Sequence, residues 1–140
     1  MIQGILLATD GSAPAERATD FAASLATRFH SKVTVLHAFT PVPATLGEPN
    51  YSRALYETLD EAKSLVQNVA ARLRELGVIE VDTDTIEGPP GNVILGVAET
   101  RKPDLIVIGA RGLSTWQGIL LGSVSTTVTQ RAECPVLVVK

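Results

Sequence analysis

One cysteine, Cys134, stands among 140 residues. That excludes an intrachain disulfide framework, and no Cys/His cluster exists to hold structural zinc. Basic residues do not outnumber acidic ones: 12 Lys and Arg face 15 Asp and Glu, a net charge of −3. Broad nucleic-acid binding relies on many Lys/Arg–phosphate contacts, so it is not expected, and an anionic ligand would need a local site. Long hydrophobic runs are missing too. The stretches 5–8 and 105–108 are strand-sized, far short of the ~20 residues a membrane span needs. The start Met1-Ile2-Gln3-Gly4-Ile5 has no basic region followed by the apolar stretch of a secretory signal. No G-x4-G-K-[ST] phosphate loop occurs. These absences predict a soluble cytoplasmic protein without a membrane partner. The length suits one domain over residues 1–140, able to bury roughly two thirds of its unfolded surface.

What is present is alternation. Short β-branched or leucine-rich runs at residues 4–9, 32–39, 78–86, 104–109 and 135–140 are separated by helix-like segments. This is the pattern of a parallel sheet covered on both faces. The first, fourth and fifth runs are almost wholly apolar, as strands buried on both sides would be. The third alternates with acidic residues, which predicts an edge with one wet face. Ser12 is a good N-cap, with Pro14 in the first turn, and Ala15, Ala18, Ala22, Leu25 and Phe29 recur at helical spacing. A second helix is predicted over 51–76 from Leu55, Leu59, Ala62, Val66, Val69, Leu73 and Leu76, with Gly77 as its stop. Two more are expected over 92–101 and 123–132. The long connections are 40–50 and 110–121, and long loops in compact α/β domains are often functional.

Five such strands give a flavodoxin/Rossmann-like open parallel sheet in the order 3-2-1-4-5, with a crevice where strand order reverses. The first and fourth strands then lie side by side, so Thr9-Asp10-Gly11 meets Gly109-Ala110-Arg111-Gly112. Glycine backbones admit close approach to a phosphate. Gly109-x2-Gly112 is followed after nine residues by Gly122-Ser123, and a helix opening there would aim free N–H groups into the crevice. Ser123 and Ser125 can donate to phosphate oxygens from that turn, while Thr126 and Thr127 can equally cap, bond backbone or face water.

Ile5-Leu6-Leu7-Ala8-Thr9-Asp10-Gly11-Ser12, the G-x2-G-x9-G-[S/T] element and the ending Cys134-Pro135-Val136-Leu137-Val138-Val139 together resemble the universal stress protein family, in its ATP-binding form. The resemblance spans the whole chain. It implies an adenine nucleotide ligand, ATP or ADP/AMP, with Mg or Mn carried on the nucleotide. It places Asp10 near the ribose or that metal, beside Ala8 and Thr9, and gives adenine the backbone of Ala38. Gly109, Arg111, Gly112, Gly122, Ser123, Val124 and Ser125 would surround ribose and phosphates. It further implies a homodimer through residues 135–140, which their apolar edge character independently favours. The function so implied is a nucleotide-responsive dimeric regulator in stress response, with an unknown protein partner.

Structural roles compete at several positions. Asp10 can simply cap the first helix, glycines 109 and 112 can be turn residues, and Arg111 can be solvated. His37 at a strand end is expected to be packed rather than catalytic, and His30 exposed; Trp116 is expected to anchor its loop, and Cys134 to be inert. Two functional alternatives also stay open on the residues alone. One is slow ATP hydrolysis or phosphoryl transfer with Asp10 holding Mg²⁺, although no water-positioning base is evident and the catalytic set is empty. The other is a structural dimer without nucleotide.

Overall fold

The structure, a computed structural model, describes residues 1–110 and 121–140. Five strands, β1 (Gly4–Ala8), β2 (Lys32–Phe39), β3 (Val81–Glu87), β4 (Leu105–Gly109) and β5 (Val136–Val139), pair throughout in parallel. Their order is β3-β2-β1-β4-β5, as expected from the sequence. The strands are joined through α1 (Ala13–Phe29), α2 (Asn50–Glu75), α3 (Pro90–Arg101) and α4 (Ser123–Arg131), and a 3-10 turn, Ala44–Leu46, lies in the connection before α2.

Side chains alternate across each strand, so the sheet divides the core in two. Ile5, Leu7, Val33, Val35 and Val107 pack beneath α1 and α2. Leu6, Ala8, Leu36, Ile106 and Ile108 pack with Ile94, Val97 and Val128 of α3 and α4. Each fully buried Leu, Ile or Val contributes about 1.5–3 kcal/mol against exposure.

α1 presents small residues inward: Ala15, Ala18, Ala22 and Ala26 are buried, while Phe29 is largely exposed. The alanines let the helix sit low on the sheet, and Gly109 completes the fit. A Cβ at that position would lie 2.9 Å from the Pro14 carbonyl carbon and 3.0 Å from Ala15 N.

The expected stripe on α2 holds only in its second half. Ala62, Val66, Ala70 and Leu73 are buried, whereas Leu59 is 44% exposed and no residue of the first two turns is buried. The third strand starts at Val81 rather than 78, and the cause is the end of α2. Gly77 N–H donates to Arg74 O and Val78 N–H to Leu73 O, both at 3.0 Å. This is a Schellman cap, with Gly77 at φ +98° and Val78 buried beside Leu73. Val78 is apolar because it closes the helix.

β3 is the predicted edge, and its two aspartates are paired. Lys32 Nζ lies 2.7 Å from Asp82, and Arg101 bridges Asp82 and Asp84. The Lys32 hydrogen bond holds the Asp82 carboxyl below its usual range. β5 is the opposite edge, as the expected strand order requires, but Val136, Leu137 and Val138 are only partly buried rather than buried on both sides as their apolar run suggested.

Candidate functional site

The chain turns out of β1 through a tightly bonded peptide. Thr9 N–H donates to Leu36 O at 2.9 Å, and Thr9 Oγ1 accepts from Gly11 N–H at 3.2 Å. Asp10 Oδ1 accepts from Ser12 N–H at 2.9 Å. Gly11, at φ +78°, makes the turn possible. Ser12 then caps α1, its Oγ accepting from Ala15 N–H at 3.4 Å. Asp10 therefore organises the turn ahead of the cap while remaining exposed.

Across the crevice, α4 opens differently. Its N-cap is Gly122, which offers no side-chain acceptor. The first amide drawn into the helix is Thr126 N–H, to Gly122 O at 3.0 Å. Among the described residues, the N–H groups of Ser123, Val124 and Ser125 thus have no capping side chain. α3 begins the same way, behind Pro89 and with no side-chain cap, and it starts two residues earlier than expected because Pro90 suits the first turn. Such ends favour an anion by about 0.3–1 kcal/mol when exposed and up to ~2 kcal/mol when partly buried.

These elements enclose a crevice of about 190 Å³ beyond the carboxyl ends of β1 and β4. Its polar wall is Thr9, Asp10, His37, Ser123 and Ser125, and its apolar floor comes from Leu36, Ile94 and Ile108. Asp10 is its one carboxylate, and neither lysine nor arginine lines it among the described residues. Of the residues expected from the sequence, Ala8, Thr9, Asp10, Ala38, Gly109, Gly122, Ser123, Val124 and Ser125 all border this space. Arg111, Gly112 and Trp116 lie outside the described residues.

Several side chains behave differently from the simplest sequence reading. The Ser125 hydroxyl is buried and donates to Ala110 O at 2.7 Å, with Gly122 O at 3.1 Å. It ties α4 to the end of β4, where Gly122 N–H also bonds Ala110 O. Thr127 packs on α3: a Cβ on Gly91 would lie 3.1 Å from its Cγ2. Gly109 is required by α1 as much as by any ligand. Cys134 packs half-buried against the α3/α4 core, and burial raises its thiol pKa, as expected of an inert cysteine.

Sequence reasoning missed the contribution of α3. Pro90 and Ile94 wall the crevice, and the Pro89-Pro90-Gly91 sequence was the available signal. It also underrated His37, whose Nδ1 lies 2.8 Å from Thr9 O.

Fold and site together define an open, doubly wound α/β protein with a crevice at the topological switch point of its sheet. The universal stress protein family model matches residues 1–140. A universal stress protein of Thermus aquaticus is 40% identical over 140 residues, covering 100% of both chains. The chain belongs to the universal stress protein family. Among solved structures, a universal stress protein in complex with cAMP superposes with a TM-score of 0.76 at 28% identity, covering 99% of this chain and 96% of that one. The universal stress protein from Archaeoglobus fulgidus in complex with dAMP gives 0.70 at 26% identity, with 100% of both chains covered.

Proposed function

We propose that the protein binds an adenine nucleotide in the β1/β4 crevice and acts as a nucleotide-responsive dimeric regulator in the cytoplasm. The observation that carries this reading is convergence. Thr9 and Asp10 from one end of the chain line the same crevice as Ser123 and Val124 at the opening of α4 from the other, over an apolar floor of Leu36, Ile94 and Ile108. Main-chain donors and helix ends recognise phosphate without lysine. Solved structures of relatives in complex with cAMP and dAMP support an adenylate as the ligand.

Ala38, at the end of β2, takes the base side; Asp10 the ribose; Gly109, Gly122, Ser123, Val124 and Ser125 the phosphate side, joined by Arg111 and Gly112. Asp10 also suits a Mg²⁺ held mainly by phosphate oxygens and water, because such sites need only one or two carboxylates. Occupancy by nucleotide would change the surface that the phosphate side of the crevice offers to a protein partner. The dimer is favoured by β5, whose Val136, Leu137 and Val138 stay half-exposed at an open edge.

Denaturing freshly purified protein and chromatographing the supernatant tests the reading directly: a near-stoichiometric adenine nucleotide is expected. If none is released, and titration of the emptied protein with AMP and ATP gives no binding heat at millimolar concentration, the proposal is wrong.

A further inference from the structure

Within β1 and β2 the ladder alternates in direction. Lys32 N–H donates to Gln3 O at 2.8 Å near one end, and Thr9 N–H donates to Leu36 O at 2.9 Å at the other. Even-numbered residues of β2 therefore turn their amides toward β1, while odd-numbered ones face β3, as Val33 N–H does in donating to Glu80 O. The next rung of this pattern would run from Ala38 N–H to Thr9 O. It is not made. Thr9 O accepts instead from the His37 ring, 2.8 Å from Nδ1, and no backbone bond joins Ala38 N–H to that oxygen. A carbonyl can only accept, so Nδ1 carries the proton, in the neutral ring and in the charged one alike.

We propose that His37 is a positioning residue for the base side of the crevice: by drawing Thr9 O toward its ring and out of line with the next rung, it keeps Ala38 N–H open to a nucleobase. The same bond steadies the peptide that leads into Asp10, so one ring sets the backbone on both sides of the ligand. Thr9 is then held at its N–H, its carbonyl and its hydroxyl. The inference rests on the nucleotide-binding reading for its ligand, while the geometry it invokes exists in the free protein.

Amide exchange on ¹⁵N-labelled protein, with and without AMP, tests it. In the free wild type, Ala38 N–H is expected to exchange rapidly and to become protected by AMP. In His37→Val, the missing rung can close, so Ala38 N–H should be protected without ligand. AMP should bind that variant about three- to tenfold more weakly, the scale of one net hydrogen bond. His37→Asn keeps a donor close to the Nδ1 position and should retain wild-type affinity within about twofold, on the same scale. Equal Ala38 exchange in free wild type and His37→Val overturns the proposal, as does undiminished AMP affinity in His37→Val. If the wild type takes up no AMP, the nucleotide reading fails, and the exchange comparison in free protein still decides the role of His37.

Discussion

At the scale of single residues, two positions near the sheet's ends do more than their type announces. Asp104 sits just before β4, and its Oδ2 accepts from Gln3 N–H at 2.8 Å and Gly4 N–H at 3.0 Å. Those amides, Gly4 first, hold its carboxyl below the usual range. A depressed folded-state pKa means stability that is present above the unfolded value, near 3.8, and lost as pH falls through the folded one. Asp104→Asn should therefore be less stable than wild type at pH 7, with the difference shrinking below about pH 4; urea titrations at both pH values check this. Gly109 is a second case. Because the Pro14 and Ala15 backbone stands where a Cβ would go, Gly109→Ala should cost about 1–3 kcal/mol of stability, the range for overpacking. Thermal unfolding of the ligand-free variant reads that cost separately from any loss of nucleotide.

Elements obey the sequence where local chemistry decides them and depart where packing does. Gly77 and Gly96 give opposite predictions for the same substitution. Gly77 holds φ +98° in the cap of α2, so Gly77→Ala should destabilise by about 1–2 kcal/mol. Gly96 lies inside α3 with nothing within 4 Å of a built Cβ, so Gly96→Ala should stabilise by about 0.5–1 kcal/mol. Chemical denaturation of the pair checks both signs. The strand pattern was legible because β1 and β4 are buried on both faces, and a doubly buried strand has no polar positions to blur it. Val78 misled for a comparable reason: it is buried to finish α2, and burial leaves the same mark on sequence as a strand. Leu55 and Leu59 match the helical period yet lie in the part of α2 where no residue is buried. Periodicity records which residues share a face, and not where along a helix its support ends.

For the whole molecule, the open edge of β5 is the testable feature. Ile106 N–H donates to Pro135 O and Ala110 N–H to Val139 O, so the odd-numbered residues of β5 serve the ladder with β4. Val136 and Val138 then turn their amides to the free edge. Val138→Pro removes one outward N–H and leaves the β4 rungs in place, a substitution edge strands tolerate. Light scattering should report a dimer for the wild type and a monomer of 14.8 kDa for the variant, with unchanged far-UV circular dichroism. A monomeric wild type would remove the dimer from the proposed function.

Sequence alone determined the five parallel strands, their order and most of the crevice, since hydrophobic runs, turn residues and right-handed crossovers leave few other arrangements. It also brought Thr9 and Asp10 opposite Gly122 and Ser123, because strand order fixes which chain ends are neighbours. Only tertiary structure decided how each polar group there is used. Ser125 was committed to Ala110 O, Gly109 to the approach of α1, and the His37 ring to Thr9 O. Those choices depend on which donor and acceptor meet at about 3 Å across elements far apart in the chain, a distance that no spacing along the chain encodes.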